Sequence, residues 1–107
     1  MHKLGAFGSE VAVLSAFFNP PWEDLAPGLS ETDQALVWHQ AGFALRAVGR
    51  QAEAERLLRI GLDRRMAMND KREAAIVASN LSELLQARGE LSTALETAKI
   101  EIGRAHV

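Results

Sequence analysis

The stretch Trp38-His39-Gln40-Ala41-Gly42-Phe43-Ala44-Leu45-Arg46-Ala47-Val48-Gly49-Arg50-Gln51-Ala52-Glu53-Ala54 decides the reading of this chain, because it returns in weaker form forty residues later. A shift of forty matches Ala35 with Ala75, Val37 with Val77, Leu45 with Leu85 and Ala47 with Ala87. It also matches Gly49 with Gly89, Ala54 with Ala94, Ile60 with Ile100 and Arg64 with Arg104, eight identities over thirty residues. Gln40 against Asn80, Gly42 against Ser82 and Arg59 against Lys99 are conservative partners. An internal repeat of this length constrains the architecture before any single residue is interpreted.

The spacing is helical. Trp38, Ala41, Gly42 and Leu45 recur at the three-and-four step of one helix face. Gly49 follows as a residue able to take the left-handed conformation that closes a helix. A second apolar face runs through Ala54, Leu57, Leu58, Gly61 and Leu62. Gly42 and Ala54 place the smallest side chains on the facing surfaces, so the two axes can approach closely. The second copy predicts the same arrangement from Ala78, Leu81, Ser82 and Leu85, then Gly89, then Ala94 and Ala98.

Trp38-x-x-Ala41-Gly42-x-x-Leu45 with Gly49, Ala54 and Leu58 resembles the tetratricopeptide repeat, and Ala78-x-x-Leu81-Ser82-x-x-Leu85 with Gly89 and Ala94 resembles it again. The period is forty rather than the usual ~34, as in long-repeat variants of that family. The closing proline is missing, with Met68-Asn69-Asp70 in its place. The resemblance covers Ser30 to Gly103. It implies an all-α fold, a right-handed superhelix of helix hairpins with about four main helices plus a short N-terminal one. The units are then residues 1–29, a short helix and proline-rich loop, residues 30–69, the first repeat, and residues 70–107, the second.

Composition sets outer limits. The 107 residues make one domain with a modest core. Cysteine is absent, which excludes disulfides and thiolate metal sites. A formal charge of −2 gives no electrostatic case for nucleic acid or anionic lipid. No apolar run approaches the roughly 20 residues that span a bilayer, and Val11 to Phe18 ends at Asn19-Pro20-Pro21 rather than at a small-residue cleavage site. The default is a soluble cytoplasmic protein.

In chain order, Ser9 is placed to cap a short helix over Glu10 to Phe18 that buries Val11, Leu14, Phe17 and Phe18. The same residues could form a strand, but a lone strand in a helical chain has no partner. Leu4-Gly5-Ala6-Phe7 resembles the turn into the second helix of such a repeat, as though the chain began inside one. Asn19-Pro20-Pro21 ends the first helix, and Trp22 and Leu25 fold back onto the core from the loop. Ser30 with Asp33 marks a capping box for a helix from Glu31 to Val48. A second helix runs from about Gln51 to Met68. Asp70 with Glu73 opens a third over Lys71 to Arg88, and a fourth runs from about Leu91 to Ile102. Leu91, Ala94, Leu95, Ala98 and Ile102 form the inward face of that last helix, while Ile100 lies off it without cover. The expectation is that the C-terminal helix packs on another repeat, a second copy of the chain, or a partner.

Little supports catalysis. His2, His39 and His106 share no metal-binding spacing, and His39 reads as a solvated or groove-lining residue. Gly5-Ala6-Phe7-Gly8 is too short for a phosphate loop and lacks a following lysine. Ser79 and Ser82 have no histidine base nearby in sequence. No cofactor or metal is expected, and the chain is not expected to be an enzyme. Arg46, Arg50, Arg56, Arg59, Arg64 and Arg65 read as solvated helix faces pairing with Glu53, Glu55, Asp63 and Glu73. A nucleic-acid patch would need interleaved aromatics, and only Phe43 is near.

The resemblance implies a concave peptide-binding face lined by the first helix of each hairpin. By analogy that face carries Leu36, His39, Gln40, Phe43 and Arg46 from the first unit and Ile76, Ser79, Asn80, Glu83 and Gln86 from the second. Asn80 stands where peptide-binding members place an asparagine, whose amide can engage a peptide backbone without reading its sequence; its alternative is a bond within its own repeat. Ser79 and Glu83 occupy positions that would need to be basic to grip a peptide carboxylate. Two functions follow as expectations. One is a protein-interaction scaffold, part of a longer repeat array in a multidomain bacterial protein. The other is a helical module that self-associates into an oligomer and has no peptide ligand.

Overall fold

The structure, a computed structural model, describes residues 10–105, with side chains described as far as Ala98 except that of Ala94. It is all-α: a short helical segment over residues 10–15 (α1), then α2 Glu31–Ala47, α3 Gln51–Ala67 and α4 Lys71–Ala105. Among the described residues the only strand-like pairing is the single bridge between Phe18 and Leu25. The roles expected of Ser9, Leu4-Gly5-Ala6-Phe7, His2 and His106 fall outside the described residues.

Local chemistry explains the start of α2, the ends of α2 and α3 and the start of α4. Ser30 Oγ accepts the Asp33 N–H at 3.1 Å, satisfying an amide that the first turn of α2 leaves unpaired. α2 closes at Gly49, whose φ of 86° lets its N–H reach the Arg46 carbonyl at 3.0 Å while the Arg50 N–H reaches Leu45 at 2.9 Å. Asn69 repeats that closure for α3 with φ 57°, its N–H on Met66 at 3.0 Å and the Asp70 N–H on Arg65 at 2.9 Å. Asparagine tolerates the left-handed region better than most residues, so no proline is needed there. Asp70 Oδ1 then accepts the Glu73 N–H at 3.3 Å and opens α4.

The α2–α3 hairpin forms as the spacing predicts. Trp38, Ala41, Gly42 and Leu45 are buried against Ala54, Leu57, Leu58 and Gly61, with Leu62 partly buried beside them. Leu45, Leu57, Leu58 and Leu84 are fully buried, each contributing on the order of 2 kcal/mol of transfer free energy. Phe18 and Trp22 close the end of this core, Phe18 standing 5.0 Å from the Trp38 ring and 5.2 Å from that of Trp22. Trp22 holds a φ of 65°, a conformation costing about 1–2 kcal/mol for a side chain of its size. Its burial under Phe18 and the Arg50 guanidinium, 5.8 Å from the ring centre, offsets that cost. Val11 and Leu14 are partly buried, but Phe17, expected to be buried with them, is 37% exposed.

The second hairpin does not form. α4 continues through Gly89 as one helix of 35 residues, so the two helices expected over Lys71–Arg88 and Leu91–Ile102 are one. The positions that would have rewarded a fold-back explain this. Leu57, Leu58 and Gly61 have as counterparts Thr97, Ala98 and Glu101, which offer little apolar area to bury. A glycine inside a helix costs only about 1 kcal/mol against alanine, and Gln86, Ala87, Arg88, Glu90 and Leu91 around it favour helix. Without a fold-back, Ser82 and Leu85 face solvent; Leu81 is buried as expected, but beside Ala74, Val77 and Leu84. Leu91 and Leu95, expected to face inward, are each 55% exposed, and Ala98 is exposed too. The side chains of Ala94, Ile100 and Ile102 are not among those described.

The projecting end of α4 shapes the molecule. Its radius of gyration is 17.0 Å, against about 13 Å for a compact domain of this length, and its longest dimension is 61 Å.

Candidate functional site

α2 and α4 lie side by side in the same direction, linked by three polar contacts. Asn80 Nδ2 lies 2.9 Å from His39 Nε2, 41 positions apart, and Arg46 Nη1 lies 3.2 Å from Glu83 Oε2, 37 apart. Arg46 also reaches the Asn80 carbonyl at 3.5 Å. The face these helices share carries Leu36, Phe43 and Ile76, which are 45%, 42% and 43% exposed. Gln40, Ser79 and Gln86 are exposed alongside them. A depression of about 330 Å³, lined by Phe43, Arg46, Ala47 and Glu83, opens on this face.

The ten positions assigned to a concave face by sequence divide into two kinds. Leu36, Gln40, Phe43, Ile76, Ser79 and Gln86 are open to solvent. His39 is not the solvated or groove-lining imidazole expected: it is buried at 9% exposure, with the Gly61 backbone packed against its own. Asn80 is half-buried and bonds across to the other unit rather than within its own. Arg46 and Glu83 pair with each other at the rim. Ala47 was missed; its place one turn beyond Phe43 is the signal that could have found it.

Burial pulls the pKa of His39 below its ordinary value of 6.5; Glu73 on α4 opposes that shift and Arg65 on α3 adds to it. Arg65 itself is buried, its Nη1 3.1 Å from Asp70 Oδ2, contrary to the solvated face expected of it. Arg50, Arg59, Arg64 and Arg88 meet carboxylates or an amide at the surface, only partly the partners expected. Arg50 bonds Glu53 through two 2.6 Å contacts, Arg59 and Arg88 share Glu55 at 3.1 and 2.7 Å, and Arg64 meets Gln34 at 3.3 Å.

Among the described residues no group of three or more His, Asp or Glu is placed to hold a metal ion, and no helix is long and apolar enough to cross a membrane. Compared with protein families, with curated proteins and with solved structures, the chain matches none.

Proposed function

We propose that this chain is a protein-interaction module that holds an extended or helical peptide segment of a partner on the α2–α4 face. The observation that carries the reading is the placement of Leu36, Phe43 and Ile76, all more than 40% exposed, on one face that also bears the Phe43–Ala47 depression. Single exposed apolar residues are ordinary; three on one face, rimmed by Arg46, Glu83, Gln40 and Ser79, have the make-up of a binding patch. The tetratricopeptide resemblance supports the same face by analogy, and a longer array with hairpins stacked on α4 would extend it into a superhelix. Peptide selection from a random library tests the reading. Enriched sequences should carry apolar anchors and should shift the NMR signals of Leu36, Phe43 and Ile76. Enriched peptides whose shifts map elsewhere, or no enrichment at all, would reject it.

A second reading, self-association through the end of α4, is favoured by Leu91 and Leu95. They stand one helical turn apart and are each 55% exposed beyond the reach of α3. A concentration-dependent rise in sedimentation coefficient, abolished by Leu91→Asp with Leu95→Asp, would favour that reading.

A further inference from the structure

The wall between α2 and α4 contains one group that can change charge near neutral pH, and it sits on one of the contacts that join the two helices. His39 is buried, and its Nε2 is 2.9 Å from Asn80 Nδ2. A carboxamide nitrogen is only a donor, so this contact is a hydrogen bond when Nε2 is the unprotonated nitrogen of a neutral imidazole. We infer that His39 is a proton-operated latch for the α2–α4 face, closed when the ring is neutral and accepts from Asn80, released when the ring is protonated and turns N–H groups toward an amide N–H.

The surroundings make release the outcome rather than a simple exchange of partners. From α3 the buried guanidinium of Arg65, held by Asp70 at 3.1 Å, repels a charged ring. From α4 Glu73 is the group that would welcome the charge. On α2 itself the nearest cation is Arg46, which already occupies the Asn80 carbonyl at 3.5 Å and Glu83 at 3.2 Å. Loss of solvation outweighs Glu73, so the ring is held neutral over more of the pH range than a free imidazole. Turning the Asn80 amide to present its oxygen could restore a bond to the protonated ring. That would still leave the imidazolium buried beside Arg65. Leu36 and Ile76 lie one turn away from this contact on their respective helices, so its loss alters the apolar face directly.

The inference rests on the proposed binding face for its consequence but not for its test, which needs no ligand. The experiment is an NMR titration of the whole chain between about pH 8 and about pH 5, following the His39 ring, the Asn80 side-chain amide and the Ile76 methyls. The expected result is that all three move together with one midpoint below that of a free imidazole, and that His39→Gln abolishes the movement of Asn80 and Ile76. Asn80→Asp supplies a second arm that does not depend on the glutamine variant folding. A carboxylate there accepts from the protonated ring, so the His39 midpoint should move up and the latch should close on the acid side. The inference is overturned if His39 titrates without moving Asn80 and Ile76, if their movement survives in His39→Gln, or if Asn80→Asp leaves the midpoint where it was. A selected peptide whose affinity is the same on both sides of the transition would count against the binding face and leave the latch standing.

Discussion

A β-carbon on Gly42 would stand 2.8 Å from Leu58 Cγ and 3.3 Å from the Leu58 backbone nitrogen. Helices α2 and α3 touch there, and the second atom cannot move aside as a side chain can. Gly42→Ala gains about 1 kcal/mol of helix propensity but adds a methyl group to a full contact, where overpacking costs roughly 1–3 kcal/mol. The expected net effect is a loss of about 1 kcal/mol, and Gly42→Val should lose more. Urea unfolding measures both; an alanine variant as stable as the parent would mean that the helices stand further apart.

Gly89 is the opposite case. It lies inside α4 with nothing within 4 Å of an added β-carbon. Gly89→Ala should therefore stabilise the chain by roughly 0.5–1 kcal/mol. If the residue instead turned the chain as Gly49 does at φ 86°, alanine would destabilise it, so the sign of the change in thermal midpoint decides between a straight helix and a hairpin.

These two glycines show how far the sequence could be read. The α2–α3 hairpin was legible almost to the residue, because Ser30, Gly49 and Asp70 act on their own neighbours and the apolar spacing is local. Gly89 misled because identity with Gly49 says nothing about reward. That lies with Thr97, Ala98 and Glu101, which stand where Leu57, Leu58 and Gly61 stand in the first unit. The faces of α4 follow from the same point, since Leu85 was to be covered by a helix that does not fold back. The set of positions proposed as a binding face could be named from the sequence. Its division into open and engaged residues could not, because the His39–Asn80 contact depends on how α4 is rotated against α2, and no local signal in the sequence sets that angle.

Asp70 serves two helices at once, bonding buried Arg65 at the end of α3 through Oδ2 and capping α4 through Oδ1. Asp70→Ala removes the cap, worth about 1 kcal/mol, and leaves a buried guanidinium without its carboxylate, at roughly 1–3 kcal/mol more. Arg65→Met should cost less, since it removes the buried charge and keeps the cap. Chemical denaturation of the two variants ranks them, and a costlier Arg65→Met would contradict this division of roles.

Stability should also depend on pH through His39. Its folded-state pKa is lowered from 6.5 by burial, so near and below that pH the unfolded chain binds more protons than the folded one. The stabilisation is whole above pH 6.5 and is lost as the pH falls through the folded-state pKa. Urea midpoints should decline over that window in the parent and much less in His39→Gln. An equal decline in both would assign the effect to another group.

The most direct test of the proposed binding face is the affinity of one selected peptide for two double variants, measured by fluorescence anisotropy. Phe43→Asp with Ile76→Asp should weaken binding by at least about tenfold, the equivalent of ~1.4 kcal/mol, while Leu91→Asp with Leu95→Asp should leave it unchanged. Loss of binding in the second variant and not in the first would contradict the account and move the site to the end of α4.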